Sequence, residues 1–324
     1  MTDETEETKW GGFTRKLKKQ IKTPTETRDW GQVMKDGVIE GFYGNWDKAI
    51  DEFDNILNNT FENVHWSRRK DAYLYKAMCL QNLGKIDEAG KNFDKVIEGD
   101  PDDWESPINK GQMLYEDGRV VDAIFSLKKG LERLSEDEPE TRAECLAQLA
   151  AAYGDLEESK REEENIKLAL EYVDEAIKLS PDNLFVLQTK IYVLIDERLE
   201  KYDEALQLCD KTIEAGDHND NFQYTKGLIY LNTGKNELAL ECFSNIESEV
   251  NDTVHHYNLA CVHAMLGNKE EAINHLTTSL YIDPEQVNEL EDDESFDNIR
   301  DSKEFKKLEK LTLAHNIAGY IVDE

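Results

Sequence analysis

The residues best equipped for chemistry lie in the stretch "HYNLACVHAMLGNKEEAINHL", residues 256 to 276, where His256, Cys261, His263, Glu270, Glu271 and His275 crowd together. Such a set has two uses: imidazoles with carboxylates or a thiolate ligate a transition metal, and a cysteine beside a histidine serves as a nucleophile. The spacing argues for neither. Helical ligand pairs come at i, i+3 or i, i+4, whereas His256 and His263 are two turns apart on one predicted helix. The residues are expected to pack: His256 and His263 at bulky positions of a first helix, and His275 beside a buried Leu276 on a second. Cys261 is the one thiol expected to face an open surface.

Other catalytic patterns are missing from the sequence. There is no G-x-G-x-x-G, no G-x-x-x-x-G-K, no G-x-S-x-G and no H-E-x-x-H, each of which encodes a particular backbone or ligand geometry. The acidic runs "DPDD" at 100–103 and "EDDE" at 291–294 lack the alternating ligands and central glycine of a calcium loop, so they read as solvated faces. Neither an enzymatic role nor a cofactor is expected.

Seventy Asp and Glu against 38 Lys and Arg give a formal charge of −32. That field repels nucleic-acid backbones and anionic lipid, so the expected partner is a neutral or basic protein segment. Cys79, Cys145, Cys209, Cys242 and Cys261 are scattered without a C-x-x-C pair, which points to a reducing compartment. The start "MTDETEETKW" has no basic-then-apolar leader and no run is long enough to span a bilayer, so a cytoplasmic location is expected. The glycosylation-like triplets at Asn58 and Asn251 are then incidental.

The elements that must position these residues repeat. Ala49, Ala89, Ala123, Ala169, Ala205, Ala239 and Ala272 each sit in an amphipathic segment such as "WDKAIDEF" or "KEEAINHL". Small residues Gly37, Ala77, Gly111, Gly227 and Ala260 precede most of them by one helix and a turn, and Gly44, Gly84, Gly118, Gly234 and Gly267 mark the turn itself. Two antiparallel helices approach closely where both carry a small side chain, and a turn glycine supplies the left-handed backbone that ends the first of them. Apolar residues at helical spacing, as in Leu74, Ala77, Met78 and Leu80, leave each hairpin with a face that needs a neighbour.

These residues resemble the tetratricopeptide repeat family. Its pattern is read in "YLYKAMCLQNLGKIDEAGKNFDKVIEGDP" and returns in "HYNLACVHAMLGNKEEAINHLTTSLYIDP". The resemblance implies an all-α helical-hairpin solenoid, a right-handed superhelix of about seven repeats over residues 29–284, with a linker and C-terminal capping helix over 285–324. The segment "DESFDNIRDSKEFKKL" is similar to the closing segment of such arrays, and Leu308, Leu311 and Ala314 begin the predicted cap. Two units depart from the pattern: "GDLEESKREEENI" and "DERLEKYDEA" replace the short glycine turn, and Ile191 fills a normally small position. Longer turns and looser packing are expected there.

The family's first helices line a concave channel. Carried over by position, the lining here is Leu74, Tyr75, Met78, Asn109, Gln112, Tyr115, Gln188, Tyr192, Tyr224, Leu228, Tyr257 and Asn258, an aromatic and amide surface suited to a peptide or amphipathic helix of a partner. Members that clamp acidic chaperone tails use Lys, Asn and Arg at positions that here hold Leu74, Met78, Asn109, Glu144 and Gln148, which disfavours that activity. The implied function is a non-catalytic adaptor.

Residues 1–28 stand outside the repeats, an expected mobile tail carrying five acidic and seven basic residues, net +2, which leaves −34 for the rest. Trp10, Phe13, Leu17 and Ile21 recur at helical spacing beside Lys16, Lys18 and Lys19. That basic amphipathic stretch supplies an alternative: an assembly scaffold recruited to a membrane surface.

Overall fold

The computed structural model describes residues 30–58, 65–156, 162–216, 220–246, 253–283, 290 and 292–310. The tail residues Trp10, Phe13, Lys16, Lys18 and Lys19 lie outside these, as does the predicted cap beyond residue 310. The regular structure of the described residues is all helix, joined by turns and short irregular segments, without strands. No described helix is long and apolar enough to cross a membrane.

The chain divides into two compact units, 1–189 and 190–324. Unit one contains four hairpins: α1 (Trp30–Phe42) with α2 (Trp46–Leu57), α3 (Trp66–Asn82) with α4 (Ile86–Gly99), α5 (Glu105–Glu116) with α6 (Val120–Arg133), and α7 (Pro139–Gly154) with α8 (Glu162–Leu179). Helix α9 (Leu184–Ile195) carries the division. Unit two continues with α10 (Tyr202–Glu214), the hairpin of α11 (Asp220–Asn232) and α12 (Asn236–Ser244), and that of α13 (Thr253–Met265) and α14 (Lys269–Ile282). A 3₁₀ turn Glu294–Phe296, the short α15 (Asp297–Arg300) and a helix over 303–310, α16, close it.

Small residues make the hairpin seams, as the repeat requires. All seven alanines of the pattern are fully buried. A methyl group on Gly111 would sit 2.6 Å from Leu127 Cγ, and one on Gly227 would sit 2.6 Å from the Phe243 ring. Neither ring nor branch can retreat in a core packed at crystal density. The turns are equally determined. At Gly84, φ 70°, its N–H meets the Gln81 carbonyl at 2.9 Å and the Lys85 N–H reaches back to Leu80 at 2.9 Å, the double bond of a Schellman stop. Acidic residues then open the second helices, Asp87 and Glu88 in α4 and Asp203 and Glu204 in α10, where they face the positive end of the helix dipole.

The two irregular units divide. In the fourth, the looser packing expected from sequence is not found: Ala143, Leu146, Ala147 and Ala150 of α7 and Ala169, Val173 and Ala176 of α8 are all buried. A run of alanines lets these helices close without a glycine turn. In the fifth, the connection from α9 to α10 is longer, and Glu200 takes the left-handed conformation, φ 48°, that glycine takes elsewhere. Lys201 N–H bonds to Leu194 at 2.9 Å, while Asp196 accepts from the Arg198 guanidinium at 2.6 Å. Ile191 is fully buried all the same.

Candidate functional site: the inner helices

In unit one α1 touches α3 and α5 touches α7, so first helices adjoin and their outward side chains form a common surface. Two of the expected lining residues are absent from it. Leu74 is buried with Ala77, Phe93 and Met113. Tyr75 is buried with its ring stacked on Phe53, 5.5 Å between centroids and 16° between planes. Burial, with the carboxylates of Asp71 and Glu105, raises its phenol pKa well above the ordinary range. The physical reason is that the aromatic at this position fills the gap to the preceding hairpin. Met78 is half-buried against the same cluster as Tyr75.

Asn109 and Tyr115 are half-buried and Gln112 is exposed. Gln81 Nε2 and Gln112 Nε2 donate to the Glu116 carboxylate at 2.8 and 3.0 Å, so two amides from successive first helices hold one acid between them. The Tyr115 hydroxyl donates to Asp155 at the end of α7. This surface is polar, carboxylate-bearing and pre-ordered by its own hydrogen bonds.

Gln188 on α9 is half-buried. In unit two Tyr192 is 44% exposed. Tyr224 and Leu228 are partly buried against Phe243, Leu259 and Val262. The Tyr224 hydroxyl accepts from Asn258 Nδ2, linking α11 to α13. Tyr257 is covered: its hydroxyl donates to Asp293 at 2.8 Å, and Phe296 stands edge-on to its ring at 5.6 Å. The closing segment therefore seats on the inner face of α13, with Leu290, Phe296, Ile299 and Phe305 joining the core of that hairpin.

Cys261 is buried under the same segment, its thiol directed to Asp293 at 3.6 Å, not toward an open surface. Burial and the Asp293 charge raise its pKa, and burial pushes Cys79, Cys145 and Cys209 up to about 12. Thiols held so far above neutrality are not nucleophiles.

The histidines behave differently from their sequence spacing. His256 on α13 and His275 on α14 face each other, Nδ1 to Nδ1, at 3.0 Å. His263 lies parallel to His275, 6° between planes and 5.5 Å between centroids, with its Nδ1 3.3 Å from Asn268 Nδ2. Spacing along one helix concealed this, because the antiparallel return brings the third imidazole from the other side. Burial lowers the pKa of His275 to about 4, reinforced by its histidine neighbours, and burial lowers that of His263 against the pull of Glu271. No three His, Cys, Asp or Glu among the described residues are arranged to hold a metal ion.

Comparison with known proteins agrees with this architecture. The family described as "Tetratricopeptide repeat" matches residues 71–103, and that of "Anaphase-promoting complex, cyclosome, subunit 3" matches 198–279. The "TPR repeat-containing protein MJ1428" of Methanocaldococcus jannaschii is 23% identical over 286 residues, 83% of this chain and 46% of that protein. The human "Mitochondrial import receptor subunit TOM70" is 26% identical over 195 residues, 58% of this chain and 31% of that protein. The chain thus spans less than half the length of either relative. A tetratricopeptide repeat protein structure from Parabacteroides merdae superposes with a TM-score of 0.63 at 14% identity, covering 89% of this chain and all of that one, which shows a shared fold.

Proposed function

Because this chain belongs to the tetratricopeptide repeat family, we propose that it is a non-catalytic adaptor that holds a peptide or amphipathic helix of a partner protein against its inner helices. The fold is one whose members generally serve as protein-binding scaffolds, and a relative named as an import receptor fits that use. The observation that carries the reading is the pre-ordered polar surface of unit one, where Gln81 and Gln112 fix Glu116 and the Tyr115 hydroxyl is held by Asp155. An anchored carboxylate among amides suits main-chain amides and a Lys or Arg of an extended segment. The net charge of −32 steers a basic segment toward it. Tyr192, Tyr224 and Asn258 supply the corresponding anchors in unit two.

Replacing Asn109, Gln112 and Glu116 together by alanine tests this, with circular dichroism confirming the fold. Affinity capture of the native partner is expected to fall at least tenfold, the scale of losing about 1.4 kcal/mol or more of anchor contacts. Undiminished capture by a folded triple variant overturns the assignment. Vesicle sedimentation of the full chain against one starting at Arg28 tests the membrane-scaffold alternative, which the basic tail alone motivates.

A further inference from the structure

We infer that the basic amphipathic segment 10–22 docks as an added helix on the exposed stripe of α1. Among the described residues no helix precedes α1. Its residues Ile39, Phe42 and Tyr43 are 41%, 51% and 73% exposed, and they follow Gln32 and Asp36 at the three- and four-residue spacing of one helix face. That stripe lies opposite the buried Val33, Gly37 and Gly41.

The repeat register specifies the chemistry that covers it. Later first helices carry a lysine directly before the crossing residue, and Lys76, Lys110 and Lys226 meet the carboxylates of Asp54, Asp94 and Asp210 from the hairpin before. In α1 the same position holds Asp36, and Glu40 stands where α3 and α5 place the buried Leu80 and Leu114. The sign is reversed, so the covering element is basic. Hairpin one as a whole, residues 30–57, has six acids against two bases, Lys35 and Lys48, whereas segment 10–22 has five bases and no acid.

Length and connection fit as well. Segment 10–22 and α1 are both 13 residues long, about 20 Å each as helix. The cation–π contact of Arg68 over the Trp30 ring, 3.4 Å to its centroid, fixes the point where the chain enters α1. Residues 23–29, with Pro24 among them, suffice to turn the chain back across the roughly 8–10 Å that separates packed helix axes. The antiparallel return sets Trp10 and Phe13 level with Ile39, Phe42 and Tyr43, and Arg15 and Lys16 within a turn of Asp36 and Glu40. Gly11 and Gly12 lower the intrinsic helicity of the segment, so it takes helical form by packing. This docking does not rest on the partner-binding reading, whose anchors Gln112 and Glu116 lie on α5.

Amide hydrogen exchange of the full chain, at two protein concentrations and without lipid, tests it. Residues 10–22 are expected to exchange at least about tenfold slower than an unstructured chain, equally at both concentrations. Trp10→Ser with Phe13→Ser, and separately Ile39→Ser with Tyr43→Ser, should each abolish that protection, and all four together should do no more than either pair. Native exchange over 46–57 and 105–116 checks the fold of each variant. Arg15→Glu with Lys16→Glu should also abolish the protection, and adding Asp36→Lys with Glu40→Lys should restore most of it. Residues 10–22 left unprotected, protection that survives the α1 substitutions in a folded chain, or a charge swap that restores nothing overturns the docking. Protection that grows with protein concentration overturns it in favour of a second copy, and protection that appears only with phosphatidylserine vesicles overturns it in favour of a membrane surface.

Discussion

Lys110 on α5 donates its ammonium to the Asp94 carboxylate on α4 at 2.7 Å, tying the first helix of one hairpin to the second helix of the hairpin before it. The same tie recurs between Lys76 and Asp54 and between Lys226 and Asp210, each at 2.6 Å. The lysine always directly precedes the small residue of its own hairpin's crossing, and the aspartate directly follows Phe53, Phe93 or Cys209 on the second helix of the hairpin before. Lys226 illustrates the balance: burial alone would lower its pKa, but the Asp210 carboxylate outweighs this and raises it. Because these pairs are partly solvated, Lys110→Met is expected to cost only about 0.2–1 kcal/mol in urea unfolding. A cycle with Asp94→Asn should recover most of that as coupling, and zero coupling would reduce the tie to coincidence.

Crossing glycines and turn glycines should fail by different amounts. Gly111→Ala drives a methyl into Leu127 and is expected to cost about 1–3 kcal/mol as overpacking. Gly118→Ala meets no neighbour, yet φ there is 76°, so the expected cost is the left-handed strain alone, about 1–2 kcal/mol. In a Leu127→Ala background, itself destabilised by the lost core side chain, Gly111→Ala should cost less than in the native chain, while the cost of Gly118→Ala should be the same in both backgrounds. Equal relief of both costs would contradict the assignment of separate causes.

Glu200 occupies a glycine position without being glycine. Glu200→Gly is therefore expected to raise stability by about 0.5–1 kcal/mol, the relief of backbone strain less the entropy that glycine loses on folding. Thermal unfolding measures it. A lower melting temperature would mean that the Glu200 side chain holds the turn.

The closing segment depends on Asp293. Burial would raise its carboxyl pKa, but hydrogen bonds from Ser295 and Tyr257 overcome this and hold it below the ordinary range. A carboxylate with a depressed folded pKa adds stability above its unfolded value, about 3.9, and loses it as pH falls through the folded one. Asp293→Asn is expected to expose Tyr257 to hydrogen exchange at neutral pH and to flatten the acid loss of stability below about pH 4. An unchanged acid limb in the variant would assign that loss to other carboxylates.

The hairpins were legible because their causes are local. Ala89, Gly84 and Phe93 announce a seam, a stop and a filler within ten residues, and the structure uses each in that way. Surface assignments were harder to read, since they turn on which neighbour comes to lie opposite. Tyr75 has the chemistry of a lining residue but meets Phe53 of the preceding hairpin and is buried. Tyr257 and Cys261 disappear beneath a segment more than thirty residues away, and His275 reaches His256 only through the antiparallel return. The ties of Lys76, Lys110 and Lys226 to Asp54, Asp94 and Asp210 recur in the repeat register, but nothing singled them out among the many other charges of an acidic chain.

Hydrogen–deuterium exchange of the chain with and without its captured partner tests the central claim most directly. New protection is expected on the first helices of unit one, over residues 66–82 and 105–116, with the second helices 86–99 and 120–133 unchanged. Protection confined to the second helices, or none on residues 105–116, would contradict the account.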